Sequence, residues 1–63
     1  MNERFYALPE DKQNQILNGA MSVFAQYEYK KATTDDIVAR AGISKGLLFH
    51  YFGSKKELYL FLT

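Results

Sequence analysis

The residues with chemistry to offer lie between Gly42 and Lys56, where Lys45, Lys55, Lys56 and the only histidine, His50, fall with no acid among them. Phe49, Tyr51 and Phe52 are interleaved with these cations. Ammonium and imidazole groups set among flat rings suit an anionic partner. On charge alone, a solvated lysine face is the favoured explanation of the same residues. Catalysis finds no inventory here. The chain has no cysteine and one histidine, which excludes a disulfide framework and a thiolate zinc site. An all-protein metal site would have to be built almost wholly from carboxylates. No catalytic residue, metal ligand or cofactor is therefore expected.

Sixty-three residues is too short for a two-domain enzyme and sits near the lower limit for folding without staples. The net charge of +1 conceals an asymmetry. Residues 1–27 carry a net of −1, and residues 28–63 a net of +2. No apolar run approaches the roughly 20 residues of a membrane span, Leu58 to Leu62 being far too short. Glu3 and Arg4 precede no apolar core of the kind a signal peptide carries. The expectation is a small intracellular module rich in helix formers.

Positioning these groups requires helices, and the punctuation for them is present. Leu8-Pro9-Glu10-Asp11 reads as a helix start, with Pro9 in the first turn and two acids complementing the dipole. Ile16, Ala20, Phe24 and Tyr27, flanked by Leu17, Met21 and Val23, make one face of a helix over about 10–26. Gly19 interrupts it, a local weakness that fits close passage of another helix. Thr33 can cap a second helix over about 34–41, with Asp35 and Asp36 at its N-terminus, Ile37, Val38 and Ala41 on its buried face and Gly42 ending it. Ser44 can cap a third helix over about 44–51. A short helix, a tight glycine turn and another helix make a helix-turn-helix. In the third helix Leu48 and Phe52 fall on one side, flanked by Tyr51, while Lys45, Gly46, Leu47, Phe49 and His50 fall on the other. A glycine, a leucine and a phenylalanine on an outward arc suggest a contact surface. Ser54 with Glu57 is a capping box opening a fourth helix from about Lys55. Lys55 and Lys56 in its first turn oppose the helix dipole, which a bound phosphate would offset. The apolar end at Leu58 to Leu62 reads as a helix whose partner surface lies elsewhere.

Thr33-Thr34, Ile37-Val38, Ala41-Gly42-Ile43-Ser44-Lys45-Gly46, Leu48, Phe49-His50-Tyr51-Phe52 and Ser54-Lys55-Lys56-Glu57-Leu58 resemble the DNA-binding domain of tetracycline-repressor (TetR) family regulators. Ile16-Leu17, Ala20 and Phe24-Ala25 match that family's first helix, and about fifty residues are covered. The resemblance implies an all-α, homeodomain-like three-helix bundle with a helix-turn-helix and the start of a fourth helix. Residues 1–63 would form this domain, without the family's larger C-terminal ligand-binding and dimerisation domain. There are departures. Glu28 replaces a usual glycine and Val38 a common alanine. Leu47 stands where a small polar residue is frequent, and Phe49 lacks the usual tyrosine hydroxyl.

The resemblance also implies a function: a cytoplasmic, ligand-responsive repressor binding a near-palindromic DNA operator as a homodimer, its effector held by the other domain. Its implied DNA-binding set here is Thr33, Thr34, Ser44, Lys45, Gly46, Leu47, Phe49, His50, Tyr51 and Lys55. Thr34, Tyr51 and Lys55 would hold phosphates, Lys45 and His50 would reach base edges, and Gly46 would let the backbone approach. Leu47 would pack on a thymine methyl or merely touch a sugar. Thr34 has an equal claim as a capping residue, and Tyr51 a lesser one as core. The competing reading is a protein-interaction module using Leu47, Phe49 and the Leu58–Leu62 face.

Overall fold

The computed structural model describes residues 2–63, and every element within them is helical. The order is α1 (Glu3–Tyr6), α2 (Glu10–Gln26), α3 (Thr34–Ala41), α4 (Lys45–Phe52) and α5 (Lys55–Leu62).

Three of the helix starts rest on one device. The hydroxyls of Thr33, Ser44 and Ser54 accept the amides of Asp36, Leu47 and Glu57, at 3.1, 3.1 and 3.0 Å. Each bond satisfies an amide that a helix N-terminus otherwise leaves unpaired. α2 begins differently. Pro9 lies one residue before its first turn, at the N-cap, and its carbonyl takes the amides of Lys12 and Gln13. The helix-turn-helix corner depends on Gly42, whose φ of 73° is left-handed. The amides of Gly42 and Ile43 both return to the Val38 carbonyl there, at 2.9 and 3.1 Å. In the α2–α3 loop, by contrast, Glu28 needs no such conformation, because among the described residues only Gly42 and Gly53 have positive φ.

The core is one cluster of Phe5, Ile16, Ala20, Val23, Ala32, Ile37, Ala41, Leu48, Phe52 and Leu58. In α2 the buried stripe is Ile16, Ala20 and Val23, so the expected face shifts. Met21 and Tyr27 turn outward, Tyr27 because it is the extended residue that ends the helix, with φ −124° and ψ 145°. α2 and α3 cross at Gly19, where an added Cβ would collide with the Arg40 carbonyl and stand 2.6 Å from the Ala41 Cα. Polar bonds lock the crossing. Gln15 donates to the Ala41 carbonyl at 2.9 Å, and Arg40 donates to Ser22 Oγ and Gln26 Oε1 at 3.2 and 2.6 Å.

α1 carries no helix signal in the sequence. Its Phe5 is wholly buried, with the rings of Tyr51, Phe52 and Phe61 at centroid distances of 6.2, 5.1 and 5.6 Å. The α5 end is therefore less bare than its sequence suggests. Leu58 is core and Phe61 and Leu62 pack against it, which leaves Leu60 as the large apolar side chain turned out.

Candidate nucleic-acid interface

α4 is held by its inner face and offers its outer one. Leu48 and Phe52 enter the core and Ile43 packs beside them, which fixes the helix's rotation about its axis. Lys45, Gly46, Leu47, Phe49 and His50 consequently all face solvent. Leu47 is 40% and Phe49 44% exposed, a large apolar share for the outside of so small a helix. Gly46 sits in open space. A Cβ built there meets only Ser44 Oγ, at 3.9 Å, so no neighbour within the chain requires a glycine at this position. That differs sharply from Gly19.

Tyr51 stands between the two faces, half-buried, with ring edges against Phe5 and His50. It is a rim residue that braces the core and still borders the surface.

The start of α3 lies beside the start of α4. Lys45 Nζ pairs with Asp35 Oδ1 at 2.7 Å, both side chains being well exposed. Such a pair contributes little to stability and can open when a stronger anion approaches. Thr33 is exposed and uses its hydroxyl as the α3 cap, while Thr34 is half-buried in the first turn. The hydroxyl that caps α3 is therefore that of Thr33, not that of Thr34. Ser44 likewise uses its hydroxyl as the α4 cap.

Lys55 is engaged in a way its sequence position does not reveal. Its ammonium donates to the carbonyls of Tyr29 and Ala32, at 2.9 and 3.0 Å, and lies 4.2 Å from the centroid of the Tyr29 ring. That ring is packed in turn against Phe24 and Tyr59. The lysine thus clasps the α2–α3 loop to α5, and its charge ends beside the Thr33–Thr34 start of α3. Lys56, next to it, is exposed. Sequence reasoning missed one further polar group at the α4 surface. Arg4 of α1 reaches His50, with Nη1 at 3.4 Å from Nδ1. Arg4 lies 46 residues away in the chain, so no local pattern could have announced the contact.

Among the described residues no group of three or more His, Cys, Asp or Glu side chains is placed to hold a metal ion. Nor is any helix among them long and apolar enough to cross a membrane. The surface is a convex, mixed apolar and basic helix face at a helix-turn-helix corner. A sequence profile described as "Bacterial regulatory proteins, tetR family" matches residues 16–61, which takes in the whole corner and nearly all of α5.

The chain belongs to the TetR family. It is 45% identical over 60 residues to the HTH-type transcriptional activator FasR of Mycolicibacterium smegmatis, a match covering 94% of this chain and 27% of that protein. It is 39% identical over 55 residues to the HTH-type transcriptional repressor AcnR of Corynebacterium efficiens, covering 87% and 29%. The crystal structure of a TetR family transcriptional regulator from Chloroflexus aurantiacus superposes with a TM-score of 0.84 at 39% identity, over 94% of this chain and 27% of that one. The chain thus spans little more than a quarter of the length of these TetR-family relatives. All three are transcriptional regulators by name, one called an activator and another a repressor.

Proposed function

We propose that this chain is the DNA-reading part of a transcriptional regulator, laying α4 in the major groove of a near-palindromic operator as one half of a dimer. The observation that carries the reading is the outer arc of α4. Its exposed leucine and phenylalanine and its unobstructed glycine serve no purpose inside the chain, and Lys45 flanks them in an exposed ion pair that a stronger anion can open. The groove is wide enough to admit such a helix.

The residues divide by role. Thr34 and Tyr51 give hydroxyl donors to phosphates on either side of the helix-turn-helix corner, with Thr33 and Ser44 shaping the helix starts between them. Lys55 adds positive charge beside Thr34 while it holds the loop that carries Thr33. These contacts set register. Lys45, once released from Asp35, and His50 reach base edges, and Gly46 lets the helix backbone come close. Leu47 packs on a thymine methyl, the one apolar feature of the groove, with Phe49 as an apolar neighbour. Repression under control of a small effector, bound by the remainder of the protein, is the regulatory mode proposed.

Selection of genomic fragments by the intact protein tests this reading. The expected result is recovery of a shared sequence with two inverted half-sites about one helical turn apart, or a multiple of it, between centres. Recovery of fragments with no common sequence would overturn it.

A further inference from the structure

The contact between α1 and α4 fixes more than position. A guanidinium has only N–H donors and cannot accept. The 3.4 Å approach of Arg4 Nη1 therefore makes His50 Nδ1 the acceptor of the pair. In the neutral imidazole one ring nitrogen carries the proton and the other does not. With Nδ1 accepting, the proton stands on Nε2. The Tyr51 ring borders the imidazole at a centroid distance of 5.5 Å and sets its plane, and the Arg4 donor favours the flip that turns Nδ1 toward it. Tyr51 in turn rests against Phe5, the residue after Arg4 and itself wholly buried. One four-residue helix thus anchors both the ring stack and the donor that selects the tautomer.

We infer that Arg4 is a positioning residue for sequence reading, setting His50 so that Nε2–H is a donor directed at an acceptor on a base edge, the N7 of a purine. The inference rests on the proposed function and adds the chemistry of one contact to it. A single donor cannot satisfy the exocyclic amine of cytosine, which is itself a donor. Guanine O6 and thymine O4 also accept in the major groove, but N7 is the one acceptor that adenine and guanine share, and the one a 7-deaza substitution removes. His50 thereby distinguishes a purine from a cytosine without telling one purine from the other. Arg4 acts through His50 and need not touch DNA.

The test uses the intact protein and its selected operator, with each purine of one half-site replaced in turn by its 7-deaza analogue, which lacks only the N7 acceptor. One position is expected to weaken wild-type binding by roughly tenfold, within the range of a good base-edge contact. Arg4→Ala should shrink that penalty several-fold, and Arg4→Lys, which restores a donor, should recover much of it. In a His50→Ala background the penalty should be absent whether or not Arg4 is present. A second readout needs no DNA. In protein labelled with 15N-histidine at a pH where the ring is neutral, the His50 signals (those lost in His50→Gln) should report Nδ1 as the unprotonated nitrogen, less completely so in Arg4→Ala. Two results would overturn the inference. One is a penalty untouched by Arg4→Ala, with operator and random DNA weakened alike and a shallower salt dependence, which makes Arg4 a phosphate contact. The other is operator binding with no 7-deaza penalty at any purine. Failure to bind any operator would sink the proposed function and this inference together.

Discussion

Gly46 and Lys55 show how far one residue's identity can mislead or inform. A glycine near the start of a helix costs stability, and here nothing inside the chain needs it, since an added Cβ meets only Ser44 Oγ at 3.9 Å. Gly46→Ala should therefore raise the unfolding free energy by about 0.5–1 kcal/mol while weakening operator binding. Thermal melts and binding titrations on the same variant check the two opposite signs. A variant that is more stable and binds as well as wild type would remove Gly46 from the interface. The sequence made Gly46 legible because an exposed glycine within a capped helix already calls for a reason. Lys55 was legible only as a charge. Its two carbonyl acceptors, Tyr29 and Ala32, lie 26 and 23 residues back in the chain, and only the packed loop brings them to it. Lys55→Ala should cost about 1–2 kcal/mol of stability through the lost charge-assisted bonds, whereas exposed Lys56→Ala should stay within about 0.5 kcal/mol of wild type. Urea unfolding of the pair decides this, and equal midpoints would contradict the clasp.

At the scale of elements, the helix-turn-helix is positioned by its crossing with α2. Propensity alone says that Gly19→Ala should strengthen a 17-residue helix. The structure reverses that sign, because the new methyl group would stand 2.6 Å from the Ala41 Cα. Helices cannot separate there without opening the core around Ala20, Ile37 and Ala41. The expected outcome is a net loss of about 1–3 kcal/mol, as for other overpacked sites, read as a lower denaturation midpoint. A stabilised variant would mean that the crossing yields easily. The caps and the glycine corner could be read from sequence because each is a local rule, in which a hydroxyl faces an amide three residues on or a glycine takes a left-handed turn. α1 could not. Four residues are too few to display a helical period, and Phe5 is placed by long-range burial against α4 and α5 rather than by its neighbours. The outward turn of Met21 and Tyr27 escaped the pattern for a related reason. Periodicity gives the stripe, but the partner helices decide which edge of it is covered.

For the molecule as a whole, the outer arc of α4 and the cations beside it are the surface proposed to meet DNA. Chain charge is nearly balanced at +1, so any strong salt dependence must come from how the charges are arranged rather than from their sum. A protein-interaction surface built on Leu47, Phe49 and Leu60 would bind with little regard to salt, since apolar burial is not screened. Phosphate contacts release counterions and bind with a steep one. The decisive measurement is operator affinity of the intact protein across roughly 50–200 mM salt, for wild type and for Lys45→Ala with Lys55→Ala. Lys45 in the groove and Lys55 beside the phosphates each bring a cation against the duplex, about four in a dimer, which predicts a log–log slope of about −3 to −4, hence a loss on the order of a hundredfold over that range. The double variant should flatten the slope to near the contribution of the remaining charges. A wild-type affinity that hardly changes with salt, or a slope indifferent to both lysines, would contradict the account.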